Sequence, residues 1–171
     1  MSPAFDLRDL VAYTTWQRSL WQAYFEQRGP AALGVTTGPN GDGRFPTIGS
    51  LIRHIFSAEL RYLERIAGLP LTDTARVPTD DAPALFEFGH MGRVRFVHLI
   101  DTLPPALWTV PIEFPLQNSM ARSSPRKIVL HVLTHELRHW AQIATLLRLH
   151  GWVADRQDLL LSPVLGDPIH L

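Results

Sequence analysis

Apolar residues recur at helical spacing in four stretches of this chain, and each stretch ends in glycine or proline. The first runs from Asp6 to Gln27. Leu7, Leu10, Val11, Trp16, Leu20, Trp21, Tyr24 and Phe25 form its apolar face, and Gly29-Pro30 stops it. The second runs from Ile48 to Ala67, with Ile48, Leu51, Ile52, Ile55, Leu63 and Ile66 in its stripe. Thr47 is placed to cap it, and Gly68 and Pro70 to end it. The third covers Ala82 to Leu103, behind Asp80 and Asp81, where a helix dipole favours negative charge. Leu85, Met91, Val94, Val97 and Ile100 read as its inward face, and Pro104-Pro105 terminates it. The fourth runs from Pro125 to His150, with Ser124 as cap, Pro125 at the first helical position and Gly151 as closure.

The connections differ in character. Gly34 to Pro46 is rich in glycine and lacks apolar periodicity, so it reads as exposed and mobile. Trp108 to Phe114 reads as β-like, restricted by Pro111 and Pro115 to an edge or an irregular hairpin. There is no internal repeat and no sign of a second domain. The pattern predicts an all-α fold: one four-helix bundle spanning residues 1–171, with a short β-like insert before the last helix.

Composition narrows the chemistry. At 171 residues, with 46% hydrophobic and 19% charged, the chain suits a single globular core. Its net charge is zero, and no basic cluster is interleaved with aromatics, which argues against a nucleic-acid partner. The N-terminal stretch carries charge early, unlike a secretory signal, and no apolar run approaches the ~20 residues of a membrane span. A cytoplasmic protein without a membrane partner is the expectation. With no cysteine, any metal site must be built from His, Asp, Glu and water.

The run HVLTHELRHWAQI supplies such material. His131, His135 and His139 follow one another at intervals of four, so a helix places them along one stripe. His135 and His139 can chelate one ion, and a facing helix of a bundle can supply a third ligand. His54, mid-helix and beside its apolar stripe, is the best-placed third ligand. His131, one turn upstream, reads as a neighbour of the ligands, and Gln142 as a hydrogen-bond partner near the metal. His98 reads as core or core edge; His90, His150 and His170 are given no role. Trp16, Trp21 and Trp140 read as core.

The same run contains His135-Glu136-Leu137-Arg138-His139, formally the HExxH signature in which Glu136 would be the general base of a zinc peptidase. Its extension fails, because Gln142 and Thr145 stand where glycine and histidine are needed. No glutamate follows Glu136, which leaves Asp155 and Asp158 of the tail to complete such a site. The peptidase is therefore the weakest of the readings.

Two blocks carry a resemblance to a known family: FPTIGSLIRHIFSAELRYLERIAG, Phe45 to Gly68, and KIVLHVLTHELRHWAQIATLLRLHG, Lys127 to Gly151. They resemble the DinB-like (DinB/YfiT) superfamily of small bacterial metal-binding four-helix bundles. The resemblance implies that His54, His135 and His139 bind one divalent transition metal, zinc or nickel foremost, then iron or manganese. It makes the HExxH match accidental. Trp140 stands where the family commonly has arginine. The resemblance further implies a metal-dependent enzyme, a hydrolase or a thiol-dependent S-transferase, acting on a small-molecule substrate with a low-molecular-weight thiol. Glu136 is the candidate proton-transfer group there, with His131 and Gln142 beside the ligands. A homodimer is also expected, since Trp16, Leu20, Trp21 and Phe25 carry more apolar surface than one bundle needs. The alternative is a non-catalytic metal-binding or stress-related bundle.

Overall fold

The computed structural model describes residues 6–41, 43–116 and 118–166. The main helices are α1 (Leu7–Arg28), α3 (Ile48–Ala67), α4 (Ala82–Thr102) and α5 (Pro125–Leu149), with the single turn α2 (Pro30–Leu33) between the first two. Each long helix begins on a side chain that satisfies an orphan backbone donor. Asp6 accepts from Arg8 N, Thr47 from Ser50 N, Asp81 from Ala84 N and Ser124 from Lys127 N. Gly68, at φ 67°, ends α3 in a left-handed conformation that suits glycine.

Helix α3 is the hub, packing extensively on α4 and α5, while α1 closes the bundle against the same two. One apolar cluster gathers Trp21, Phe25, Leu33, Ile52, Phe86, Trp140 and Ile143; the other gathers Val11, Leu60, Phe96, Val129 and Leu133. Trp21 and Trp140 stack at 5.3 Å between ring centroids, as core residues. Trp21 and Phe25 are thus buried within their own bundle, which leaves only Trp16 and Leu20, both half-buried, of the surface expected to drive dimerisation.

The insert before the last helix is a hairpin of β1 (Ile112–Leu116) and β2 (Ser119–Ser123), antiparallel with Phe114 opposite Ala121. It starts four residues later than the predicted β-like segment, because Trp108 sits in a turn with its Nε1 donating to Leu103 O. Phe114 anchors the hairpin on α3, edge-on to Tyr62.

Two other expectations are corrected. The buried face of α4 is Ala82, Leu85, Phe86, Gly89, Gly92, Arg93 and Phe96, whereas Met91 and Val94 are about half exposed. The close approach of α3 falls at Gly89, not at an aliphatic residue: a Cβ there would lie 2.7 Å from the Phe56 ring. His98, on that outer side, is exposed. The Gly34–Pro46 connection is also not uniformly exposed. Val35 and Thr37 are buried, Thr36 pairs with Thr47 in an isolated bridge, and Thr37 donates to Phe45 O. Asp42 of that connection and His170 of the tail lie outside the described residues.

The centre of the bundle is charged. Arg18 of α1, Glu59 of α3, Arg93 of α4 and Glu136 of α5, each at most 8% exposed, meet between the two apolar clusters. Arg18 Nη2 donates to Glu59 Oε2 and Glu136 Oε2, both at 2.9 Å, and Arg93 Nη2 to Glu136 Oε2 at 2.6 Å. Arg93 Nη1 also donates to Thr14 Oγ1 at 2.7 Å, and Arg18 Nη1 to Gly89 O at 3.2 Å. Two cations and two anions balance, as buried charges must.

Candidate metal centre

Three imidazoles converge on one side of the charged centre. His54 projects from the middle of α3, and His135 and His139 from successive turns of α5. His135 Nε2 lies 3.2 Å from His54 Nε2 and 3.0 Å from His139 Nε2. One ligand atom from each residue falls within 4.8 Å of the others. A tetrahedral ion at ~2.05 Å from each nitrogen would space its ligands by ~3.3 Å. Both contacts of His135 Nε2 therefore stand close to the separation that one ion imposes.

The protonation states agree with ligation. Burial, then the charge of His139 and of Arg44, Arg61 and Arg138, pushes His54 down to about 4. Burial, then His139 and His54, pushes His135 down to about 3. Both rings are neutral near pH 7, the form that coordinates metals. Gln142 Oε1 lies 2.8 Å from Nδ1 of the buried His139. An oxygen acceptor there keeps the proton on Nδ1 and turns the Nε2 lone pair toward the other two rings. The residues present thus fit a divalent transition metal: three imidazole donors on two helices, with His54 and His135 kept neutral and His139 hydrogen-bonded at Nδ1.

Of the remaining expected residues, Gln142 stands against a ligand candidate, as just described. His131 is at the rim. Its ring is 5.5 Å from that of His135 and edge-on to Tyr62 at 5.5 Å, and partial burial with Arg138 nearby lowers its pKa. Its nitrogens do not join the convergent group.

Glu136 is not on the metal side. Residues i and i+1 point in different directions around a helix, and Glu136 turns into the core while His135 turns to the site. Its carboxylate, 1% exposed, accepts from Arg18, from Arg93 and from Trp140 Nε1 at 3.1 Å. The two guanidiniums hold it below the usual carboxylate range against the opposing effect of burial. A carboxylate so engaged has no lone pair directed at the imidazoles, which corrects its expected part in proton transfer. Asp155 and Asp158 lie in the tail that folds back over α1 and α5, where Tyr13 Oη donates to Gln157 O; neither belongs to the imidazole group.

Sequence reasoning missed two features. Phe45, in a connection read as mobile, stacks on His54 at 4.3 Å and covers one face of the ring. The second is the polar stripe of α3. Ser50, His54, Ser57 and Arg61 share one helix face and line one cavity. Their spacing marks one face of the sequence, beside the more extensive apolar stripe of the same helix.

A helical bundle with neutral histidines converging from two facing helices defines a class: a small bundle protein able to hold a metal ion. The particular family follows from sequence comparison. The profile of the DinB superfamily matches residues 6–143, and the chain belongs to that superfamily. The matched span contains His54, His135, His139 and Gln142. No curated protein matches the chain.

Proposed function

We propose that this protein is a metal-dependent enzyme whose single divalent transition metal, zinc or nickel foremost, is held by His54, His135 and His139. The observation that carries the reading is the approach of three ring nitrogens, at 3.0 and 3.2 Å, with His139 locked by Gln142. Structural zinc sites use four protein ligands, whereas three leave room for water or substrate. The site also adjoins a cavity large enough for a small molecule. An ion bound there supplies Lewis acidity and lowers the pKa of a bound water or thiol. That chemistry suits hydrolysis or transfer to a low-molecular-weight thiol.

The chain's own residues divide the remaining work. His54 and His135 stay neutral and keep their lone pairs available. Gln142 orients His139. Phe45 shields His54 from solvent on one ring face. Glu136 holds α5 in its rotation about the bundle through Arg18 and Arg93, and so aims His135 and His139 indirectly. The peptidase reading loses its general base with that assignment. The non-catalytic bundle remains the alternative, distinguished by whether the ion is needed for folding.

Metal content by mass spectrometry on untagged protein tests the proposal, beside His54→Ala and His135→Ala. Near one divalent ion per chain in the wild type, lost in both variants, is expected. Retention in either variant, or none in the wild type after reconstitution, sinks the three-histidine site.

A further inference from the structure

The cavity beside His54 has a volume of about 620 Å³, in the range of small-molecule sites. Its charge is one-sided. Among the described residues, Arg44, Arg53 and Arg61 line it with one acid, Asp73, although the chain as a whole is neutral. Asp73 is already engaged, its Oδ1 accepting from Ala75 N at 2.9 Å. Arg53 holds the linker that forms the opposite wall, with Nη1 donating to Ala75 O and Val77 O at 3.0 and 3.1 Å.

Arg61 is differently placed. It is exposed, and its Nη2 donates to Thr74 Oγ1 at 3.1 Å, which fixes one arm of the guanidinium on the cavity wall. Thr74 is buried and steadied in turn by Ser57 Oγ at 2.9 Å. A guanidinium carries five donors in a planar fork that matches carboxylate or phosphate oxygens. On α3, Arg61 lies two turns from His54 along the same stripe, so a small molecule can reach both.

We infer that this cavity is an anion-binding subsite, taking the carboxylate or phosphate of a small substrate on Arg61, with Arg44 and Arg53 supplying further positive charge, while the rest of the molecule extends toward His54. The inference rests on the metal-centre reading for which end reacts, but the arginine wall exists without the ion. Anion binding can therefore be read separately.

The test is calorimetric titration, at low ionic strength, of metal-free wild type and of His135→Ala, whose altered residue does not line the cavity. The probes are succinate, inorganic phosphate and uncharged succinamide. Succinate or phosphate should bind and succinamide should not, in both proteins. Arg61→Gln should weaken anion binding by about tenfold or more, with Arg61→Lys recovering part of it, because the charge returns without the fork. Tighter succinate marks a carboxylate substrate and tighter phosphate a phosphorylated one. Equal binding of all three probes, no binding of either anion, or affinity unmoved by both Arg61→Gln and Arg44→Gln would overturn the subsite. Because His135→Ala removes a proposed ligand and leaves the arginines, loss of the metal site and loss of the anion site give different results.

Discussion

At the scale of single residues, Gln142 stands beside the imidazoles as its spacing suggests, whereas Glu136 turns into the core. Glu136 follows a metal-ligand candidate, yet its carboxylate neutralises Arg18 and Arg93 inside the bundle. Glu136→Gln preserves shape but leaves two buried cations facing Glu59 alone. Removing one partner of a buried ion pair costs about 3–5 kcal/mol, so urea denaturation should show a loss of that order while about one metal per chain is still bound. A base acting at the metal would show the reverse: stability unchanged and activity abolished. Gln142→Ala acts on the other side of the helix. It removes the acceptor for His139 Nδ1, and the loss of such a partner typically lowers metal affinity by about 10–100-fold. Competition with a chromophoric chelator should show that drop with little change in melting temperature. The imidazole pair was legible because an interval of four has one meaning on a helix. The ion cluster was not legible. Arg18, Glu59, Arg93 and Glu136 come one from each long helix, and each alone looks like a solvated polar position.

At the scale of elements, boundaries were legible and facing was not. Asp6, Thr47, Asp81 and Ser124 announce the helix starts because a capping oxygen is a local requirement. The inward face of α4 depends on what α3 presents to it, which no local rule contains. There the side chains of the larger aliphatic residues Met91 and Val94 lie outside, and Gly89 lies inside against Phe56. Gly89→Ala tests this packing. The new methyl would meet the Phe56 ring at 2.7 Å, and Phe56 is itself pressed beneath the Arg18 guanidinium, 4.8 Å from its centroid. Overpacking of a filled core costs about 1–3 kcal/mol, so chemical denaturation should show a loss in that range. An alanine variant as stable as the wild type would mean that the α3–α4 contact yields freely and that glycine is not what sets the phase of α4.

At the scale of the whole molecule, the question is whether the bundle needs the ion to fold. Two apolar clusters and a balanced ion cluster close the core without involving the imidazole nitrogens, and no helix among the described residues is long and apolar enough to cross a membrane. Chelator-treated protein should therefore keep its helical circular dichroism at neutral pH, with a melting temperature lowered only by the loss of ligand binding to the native state. Acid then separates the contributions. His54 and His135 are held at about 4 and about 3 in the fold, against 6.5 for a free imidazole. The unfolded chain takes up these protons first, so stability is fully present above pH 6.5 and is lost as pH falls toward 4 and 3. Glu136, depressed below 4.5, adds a second loss that begins only beneath that value. Melting of metal-free protein should consequently begin to fall near pH 6.5 and steepen below 4.5. A His54→Gln/His135→Gln variant should flatten the first limb and keep the second, because it removes the crowded imidazoles and leaves the arginine-held carboxylate in place. A metal-free wild type whose melting temperature is level down to pH 4.5 would show that His54 and His135 do not resist protonation in the fold. A chelated protein that is already unfolded at neutral pH would instead make the ion part of the fold, and would favour the non-catalytic bundle over the enzyme.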